Sequence, residues 1–441
     1  MTGLDSLDGI AVTPGSAAYD AVRRPVQVAY AAVRPRVVVL CRSVSDVVAG
    51  LRYAAESGDR VVARGGGHCF AGRSSTDGVV LELSGLDRIS VADGIATIGA
   101  GARLRSVYSS LHEAGRTVPA GCGPTVGIAG LTLGGGIGLL GRKYGLTCDR
   151  LVGVQVVLAD GRVVECSEAD EPELFWGIRG AGGGQFGVVT ELRFATVPEP
   201  VVTRIDGYWP DAAELVSAWQ EWAPDAPDEV TVNLRLVSEP GSGVRATVFG
   251  ASMLGVEETR EVLPEFASVA GVGVPWNALK DSLADPLADP LDGPAVRLRS
   301  EFFARSLRAE TVESLLALLG EPRTTGRREI AFTAMGGQYN RVAEDATAFA
   351  HRGERFLLEH IAEVTDRDAG SWVGGSRDAG SWVDRSWDTA HVDGSGRVYP
   401  NFPDLALDDW ASAYHAGNLF RLQEIKRWYD PQRVFEFPQA I

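Results

Sequence analysis

The sequence predicts an α+β protein made of two differently patterned regions. Over residues 1–200, short apolar strands alternate with turns rich in glycine, which occupies 53 of the 441 positions. After Val197-Pro198-Glu199-Pro200 the glycine content becomes ordinary, and the strands become longer and alternate apolar with polar residues. Such alternation, with helical segments between the strands, is typical of an antiparallel sheet that helices cover on one face.

The first region opens with a strand, a helix and a second strand. Residues 37–40 are apolar and β-branched, residues 43–57 have helical spacing with Ser43 or Ser45 as the cap, and residues 61–63 precede three glycines. The same reasoning predicts a helix over 104–114 and short strands at 79–83, 89–91, 96–98, 152–158, 163–166 and 188–194.

The second region and the tail contain longer elements. Alternation predicts strands at 230–237, 246–251, 296–303 and 329–333, with helices near 211–222, 256–269 and 310–319. A helix over 410–428 is expected to end before Asp430-Pro431. Residues 367–373 recur as residues 377–383. A single duplication is too short for a solenoid, so we expect a tandem insertion in a surface loop, with a Trp-bearing lid as the less favoured interpretation.

Composition excludes several classes of protein. Lys and Arg number 42 against 58 Asp and Glu, which gives a net charge of −16, and a charge of that sign disfavours nucleic acid and anionic membrane surfaces as partners. Five cysteines without CxxC spacing predict neither a disulfide framework nor a metal site. Residues 1–30 lack a signal-peptide pattern and no long apolar run occurs, so we expect a cytoplasmic protein.

Two segments match the dinucleotide fingerprint G-x-G-x-x-G, at residues 136–141 and 182–187. The first precedes Arg142-Lys143-Tyr144-Gly145, which ends any helix within about a turn, and the second runs directly into a strand pattern at Val188. A Rossmann site requires a full helix whose N-terminus faces the pyrophosphate. We therefore reject the Rossmann interpretation.

The more informative segment is a glycine run that ends in a histidine. Three glycines after a strand allow backbone N–H groups to approach phosphate oxygens without a Cβ in the way. On its own such a histidine is more often a packing residue than a functional one. It is accompanied in order by five further segments, so that the whole set is Ala63-Arg64-Gly65-Gly66-Gly67-His68-Cys69, Pro119 to Gly138, Arg142 to Leu146, Leu158-Ala159-Asp160-Gly161, Glu173 to Thr190, and Tyr399-Pro400-Asn401 with Tyr429 to Phe435.

In this order and spacing the set resembles the berberine-bridge-enzyme type of FAD-linked oxidase, within the vanillyl-alcohol-oxidase/PCMH superfamily. The resemblance is strongest over 60–195 and 397–438. It implies a PCMH-type FAD-binding domain in two parts, residues 1–200 and 399–441, and a substrate-binding domain over 201–398 with an antiparallel sheet and flanking helices.

The resemblance also implies how FAD is held. His68 matches the histidine that bonds covalently to the flavin. Family members with a second, cysteinyl bond carry the cysteine where this chain has Gly123, so we expect attachment through His68 alone, although Cys122 one residue earlier leaves a two-bond flavin open. The other residues expected at the cofactor are Arg64, Gly65, Gly66, Gly67, Cys69, Gly72, Gly121, Cys122, Thr125, Val126, Gly127, Gly130, Gly134, Gly135, Gly136, Gly138, Gly187, Val188, Val189, Tyr399 and Asn401.

Tyr399 and Asn401 match the family's Y-x-N motif at the flavin. Oxidation needs a base for the substrate proton, and Tyr399 is the first choice, with its pKa depressed by nearby Tyr144 or Lys143. Packing under the flavin is the alternative role for Tyr399. The other bases considered are Glu301 and Gln338. Ile128 matches a position that controls oxygen access, which leaves the electron acceptor open.

The expected activity is removal of two electrons from a small-molecule alcohol, hemiacetal sugar or cyclic amine, with O₂ or another molecule as acceptor. Natural-product tailoring is the favoured setting for this activity. The rival hypothesis is a flavin-binding protein without turnover. Reduction of the flavin by substrates under anaerobic conditions distinguishes the two.

Overall fold

The computed structural model describes residues 7–283, 295–364 and 377–441. Its N-terminal region, residues 7–198, contains many short elements, as the glycine-rich sequence predicts. They are β1 (Ile10–Val12), α1 (Tyr19–Val22), β2 (Val37–Leu40), α2 (Val44–Ser57), β3 (Val61–Arg64), β4 (Val79–Glu82), β5 (Ile89–Ala92), β6 (Ile95–Gly99), α3 (Leu104–Glu113), β7 (Arg116–Thr117), α4 (Ile128–Leu133), α5 (Gly141–Tyr144), β8 (Leu151–Val157), β9 (Val163–Cys166), α6 (Pro172–Ile178), β10 (Val188–Ala195) and β11 (Val197–Pro198).

These strands form two main sheets. The first has the order β1-β2-β4-β3, in which β2, β4 and β3 are parallel and β1 is antiparallel to β2. The second, β5-β6-β10-β8-β9, is antiparallel throughout. Helix α2 begins with a capping box, since Ser43 Oγ accepts from Asp46 N and the Asp46 carboxylate accepts from Ser43 N. The predicted unit at 36–67 and its Ser43 cap are confirmed.

The middle region, residues 201–391, is built on one large sheet. Its elements are β12 (Val201–Trp209), α7 (Ala212–Trp222), β13 (Val230–Ser238), β14 (Val244–Ser252), α8 (Val256–Val262), β15 (Ser268–Pro275), α9 (Trp276–Leu283), β16 (Ala295–Phe303), α10 (Ala309–Leu319), β17 (Arg328–Ala334), α11 (Gln338–Arg341), β18 (Phe356–Val364) and α12 (Arg377–His391). Seven strands pair antiparallel in the order β15-β12-β14-β13-β17-β18-β16, which confirms the α+β class.

Three expectations about this region and the tail were wrong. The helix predicted over 256–269 ends at Val262, because residues 268–275 pair with β12 as an edge strand. The predicted tail helix is two helices, α13 (Trp410–His415) and α14 (Leu419–Tyr429), interrupted where Ala416 has φ 48°. The second copy of the repeat is the start of α12 and not a surface loop.

Two residues of that copy explain why it is helical. The side chains of Trp382 and Val383 are fully buried in the core of the middle region, and the Trp382 indole N–H donates to Leu318 O at 2.9 Å. Burial of this apolar surface on the large sheet stabilises the helix. The first copy, residues 367–373, lies outside the described residues.

Both motifs rejected as Rossmann fingerprints lack a crossover helix. Residues 136–141 lead into the four-residue α5, and residues 182–187 lead into β10. Among the described residues, none of the helices is long and apolar enough to cross a membrane.

A buried arginine joins the N-terminal and middle regions. Arg142 in α5 is fully buried, and its guanidinium donates to four backbone carbonyls of the middle region. The donor–acceptor distances are 3.0 Å to Val230 O and 2.8 Å to Pro224 O, and the other acceptors are Ala226 O and Met335 O. The carbonyl dipoles replace the water that the charge loses on burial.

We expect Arg142→Met to destabilise the protein, because it leaves four buried carbonyls without their donor. The apparent Tm should fall by about 5 °C or more, measured by scanning calorimetry. Arg341→Met is the matched control, since Arg341 is exposed and pairs with Asp228 at the surface. Its Tm should stay at the wild-type value. Equal Tm values for the two variants would show that Arg142 does not hold the regions together.

Candidate active site

A cavity of about 380 Å³ lies between the N-terminal region and the C-terminal segment, residues 392–441, and reaches Val296 of the middle region. Its wall is formed mainly by backbone and apolar side chains. Of the residues predicted from the sequence, those that line it are Gly65, Gly66, Gly67, His68, Cys69, Gly121, Val126, Gly127, Gly130, Gly187, Val188, Val189, Tyr399 and Asn401.

His68 follows β3 and the glycine run, and a threonine holds its ring. His68 Nε2 lies 3.0 Å from Thr125 Oγ1. The two segments meet closely, because a Cβ on Gly66 would lie 2.3 Å from Gly127 N. No side chain fits there without a backbone shift, so glycine at Gly66 allows the histidine segment and the threonine segment to touch.

Cys122 has a different environment from its two neighbours. Gly121 and Gly123 line the cavity, whereas the half-buried Cys122 packs against the hydrophobic core of the N-terminal region. Gly123, which matches the family's cysteine position, is therefore at the cavity, and Cys122 is not among the lining residues.

Tyr399 is buried, and three N–H groups converge on its phenol oxygen. Gly136 N and Ile137 N donate to the oxygen at 3.1 Å each, and Asn401 Nδ2 donates at 3.0 Å. Burial raises the pKa of Tyr399 to about 12, and the three donors oppose that rise. The oxygen is therefore held by groups that favour a phenolate, inside an environment that disfavours the charge.

Aromatic side chains surround the Tyr399 ring. Ring centroids of Phe302 and Phe349 lie 6.2 Å from it, and that of Phe402 lies 5.1 Å from it, all edge to face. Phe402 also contacts Phe70 at 5.6 Å. These contacts fix the phenol ring and make this end of the cavity apolar.

The glycine loop over residues 134–138 packs against Tyr399 and its neighbours. A Cβ on Gly134 would lie 2.2 Å from Asn401 Oδ1, and one on Gly135 would lie 2.8 Å from the Phe349 ring. Gly138 exchanges two hydrogen bonds with the buried Tyr339 hydroxyl, donating at 3.0 Å and accepting at 2.6 Å. The loop thus positions the tyrosine, and of its residues only Ile137 is among the described residues that line the cavity.

Several predicted site residues lie elsewhere in the described structure. Arg64 is buried beside Glu82 and donates to Val22 O and Arg23 O. Gly72 has its Cα against the Tyr30 ring. These positions serve local packing, and the remaining predicted residues outside the cavity lining are Cys122, Thr125, Gly134, Gly135, Gly136, Gly138 and Tyr144.

The expected source of a depressed Tyr399 pKa was wrong. Lys143 Nζ pairs with Glu229 at 3.4 Å and lies over the Tyr144 ring, and Tyr144 packs against the core of the N-terminal region. The groups that act on the pKa of Tyr399 are instead burial, Asn401 and the glycine loop, and burial dominates.

The two alternative bases do not reach the cavity. Glu301 is fully buried and accepts from His391 Nδ1 at 2.9 Å and from Gly396 N at 2.8 Å, while Gln338 begins α11 outside the lining residues. Ile128, expected to control oxygen access, is fully buried in the core between Gly127 and Ala129. The strand alternation that suggested Glu301 did not reveal which face of the sheet the cavity occupies.

Among the lining residues that sequence reasoning missed are Phe70, Arg73 and Phe437. Arg73 and Phe70 follow His68 within five positions, so proximity to the histidine was the available signal. Phe437 comes from the far end of the chain, and only the fold brings it to the cavity.

The cavity wall fits a large planar ligand with phosphates. Glycines at Gly65–Gly67, Gly183 and Gly184 expose backbone on its wall, and a Cβ on Gly130 would meet nothing within 4 Å. Arg73 has buried guanidinium nitrogens facing this region without a hydrogen-bond partner among the described residues. Walls of this kind indicate a protein that binds a phosphate-bearing cofactor.

Comparison with known proteins identifies the cofactor and the family. The FAD-binding domain model matches residues 35–167, and the berberine and berberine-like model matches residues 398–441. An FAD-linked oxidoreductase of Bacillus subtilis, YgaK, is 31% identical, covering 92% of this chain and 91% of its own. Chitooligosaccharide oxidase of Gibberella zeae is 30% identical, covering 92% and 87%. The chain therefore belongs to the berberine-bridge-enzyme-like family of FAD-linked oxidoreductases.

Solved structures show the same fold. The berberine-bridge-enzyme-like protein 1 of Physcomitrella patens has a TM-score of 0.86 at 27% identity, covering 100% of this chain and 98% of its own. The glucooligosaccharide oxidase of Acremonium strictum has a TM-score of 0.87 at 25% identity, covering 98% and 97%, and carries a 6-S-cysteinyl, 8α-N1-histidyl FAD. The chain is an FAD-linked enzyme of this fold.

Gly130→Ala should separate cofactor binding from folding. Gly130 lies inside α4, where alanine is favoured over glycine by about 0.5–1 kcal/mol, and its new methyl group would enter the cavity. We expect an unchanged or higher Tm for flavin-free protein and a severalfold lower flavin content per chain, from the absorbance ratio. Gly243→Ala, in open space on the β13–β14 turn, is the control. Wild-type flavin content in Gly130→Ala would mean that the cofactor avoids this wall.

Proposed function

We propose that this enzyme oxidises an alcohol or hemiacetal hydroxyl of a small molecule, with FAD attached through His68 and with Tyr399 as the proton acceptor. The observation that carries the proposal is the convergence of three N–H donors on the Tyr399 oxygen, at the edge of a cavity that also contains His68. FAD, when bound, takes a hydride and so removes two electrons from the substrate carbon. The electron acceptor is O₂ or another small molecule.

The residues divide into those that hold the cofactor and those that handle the proton. Backbone from the glycine segments at 65–67, 121–130 and 183–189 would contact FAD, and Thr125 would orient the His68 ring through Nε2. Residues 1–200 with 399–441 would form the FAD-binding domain, and residues 201–398 the substrate-binding domain. Val296 of the middle region reaches the cavity, which supports substrate binding on that side.

The phenolate form of Tyr399 would take the hydroxyl proton as the carbon–oxygen double bond forms, and Tyr399 would thereby become a neutral phenol. Burial raises the pKa of Tyr399 to about 12, so this phenolate is a small fraction at physiological pH. The donors from Gly136, Ile137 and Asn401 would stabilise the negative charge of the phenolate before it accepts the proton. A phenolate whose conjugate acid has so high a pKa is a strong base. A strong base is needed to remove the proton of an unactivated substrate hydroxyl, whose own pKa is high.

The relatives favour a sugar-like substrate over a cyclic amine. Three similar proteins are named for chitooligosaccharide, glucooligosaccharide and xylooligosaccharide oxidation. Phe70 and Phe402 make the end of the cavity near Tyr399 apolar, and aromatic rings stack on the C–H faces of sugars as well as on flat alcohols. The proposal therefore covers natural-product alcohols as well as sugars, and a panel of substrates distinguishes the two classes.

Attachment of the flavin through His68 alone predicts opposite results for two variants. His68→Ala should lose the flavin that stays with the protein after denaturation, and Cys122→Ala should keep it, because Cys122 packs on the core and not on the cavity wall. Denaturing-gel fluorescence and the mass of the flavin peptide measure this. A cysteinyl-flavin peptide from the wild type would refute the single attachment, and fluorescence retained in His68→Ala would refute the role of His68.

Tyr399→Phe keeps the ring and its packing and removes only the acid–base group. We expect it to bind FAD normally and to slow anaerobic flavin reduction by about 10²–10⁴-fold, with sugars, secondary alcohols and heterocyclic amines as the substrate panel. Since the phenolate fraction rises tenfold per pH unit below a pKa of about 12, the wild-type reduction rate should climb with pH up to at least pH 10.

The matched control is Tyr429→Phe, because Tyr429 bonds Glu171 on the outer side of α14 and should not affect the rate. A Tyr399→Phe variant that reduces its flavin at the wild-type rate, with the same pH profile, would make Tyr399 a packing residue. Absence of flavin reduction by every member of the panel would instead contradict the substrate class.

A further inference from the structure

One charged side chain of the cavity has no role in the function proposed above. Arg73 is the only Asp, Glu, Lys or Arg among the described residues that line the cavity. Its Nε and Nη2 atoms are buried, and neither has a hydrogen-bond partner in the described part of the chain. The guanidinium carbon lies 4.9 Å from the Phe437 ring centroid and 5.8 Å from that of Tyr414.

The two aromatic rings hold the guanidinium in place without neutralising it. A buried cation whose N–H groups lack acceptors is costly, and cation–π contacts offset only part of that cost. In a chain with a net charge of −16, carboxylates for pairing are abundant, yet none of those described approaches Arg73. The side chain is therefore arranged for an anion that arrives with a ligand.

Two glycine turns lie beside Arg73, with φ values of 68° at Gly72, 94° at Gly182 and 79° at Gly184. The N–H groups of the first two are already used, since Gly72 N donates to Cys69 O at 3.1 Å and Gly182 N donates to Leu133 O at 2.8 Å. The guanidinium of Arg73 is therefore the donor that an anion would meet here. A Cβ on Gly182 would lie 3.5 Å from Arg73 Nη1, so the guanidinium abuts this second glycine segment. Gly183 and Gly184 continue it along the cavity wall.

We propose that Arg73 binds the diphosphate of FAD and supplies the one side-chain cation of the cofactor site. The inference rests on the proposed function for the presence of FAD at this cavity. Planar guanidinium groups bind phosphate oxygens through two parallel hydrogen bonds, and Nε with Nη2 forms one such donor pair. An anionic group on a substrate has the same chemistry, so the experiment separates the two sources.

The test measures reversible flavin affinity in the full-length His68→Ala protein, which cannot form the histidyl bond. Arg73→Met and Arg73→Lys are added to this parent, and FAD and riboflavin are titrated by fluorescence quenching. Riboflavin carries the ring system without phosphates. We expect Arg73→Met to weaken FAD binding by about 10- to 100-fold, to leave riboflavin affinity within about twofold, and to reduce the salt dependence of FAD binding.

Two comparisons make the result specific. Arg60→Met removes an exposed arginine that pairs with Asp77 at 3.0 Å, and it should leave both affinities unchanged. Arg73→Lys keeps the charge but loses the paired guanidinium donors. Its FAD affinity should lie between that of the parent and that of Arg73→Met. In the otherwise wild-type chain, Arg73→Met should also lower the fraction of protein that acquires covalent flavin.

Each contrary result has a distinct meaning. Equal FAD affinity in Arg73→Met and its parent would overturn the proposal. Arg73 would then bind an anionic group of the substrate instead of the FAD diphosphate. Equal losses of FAD and riboflavin affinity would overturn it in favour of a packing role. A His68→Ala parent that binds neither flavin, together with a wild type that lacks flavin, would refute the proposed function itself and this inference with it.

Discussion

The site depends on where the glycine loop over residues 134–138 is held. The charge of Arg142, four residues further along, is solvated by four carbonyls of the middle region, and Tyr339 anchors Gly138 on the same side. Apart from Ile137, which packs on the apolar cluster around Tyr399, the loop consists of glycine, so these contacts fix most of its backbone. Two of its N–H groups in turn fix the Tyr399 oxygen. A cation buried between two regions thus sets the position of the Tyr399 phenol.

The polar groups that act at the cavity come mostly from backbone. Glycine allows main-chain N–H groups to reach the Tyr399 oxygen and to line the wall, and these donors carry no net charge. Side-chain charge is confined to Arg73 among the described lining residues. Burial outweighs the neutral donors at Tyr399, so the neutral phenol is its major form at physiological pH. Dipoles fixed in advance require little reorganisation when charge develops.

Local patterns predicted what depends on neighbouring residues. The Ser43 cap, the strands around it and the glycine segments at 65–67 and 127–130 were visible because turn chemistry and periodicity act over a few positions. The backbone donors to Tyr399 in the loop are about 262 positions away from it. The sequence therefore did not reveal that they donate to its oxygen. Glu301 shows the same limit. Alternation distinguishes the two faces of a strand, but it does not tell which face packs near His391 and which face is directed to the cavity.

The helix α12 also shows how a repeated sequence acquires one register. Residues 367–373 and 377–383 are identical, so Trp382 and Val383 in the core do not by themselves distinguish one copy from the other. The residues after the repeat do, since the first copy continues with two glycines and the second with Asp384 and Ser386. Asp384 pairs with Arg299 at 3.2 Å, and Ser386 meets His360 at 2.7 Å. The polar residues that follow the second copy therefore fix its register in α12, which the duplicated apolar residues alone do not, so a change at Asp384 or Ser386 bears on the choice of copy and not only on helix stability.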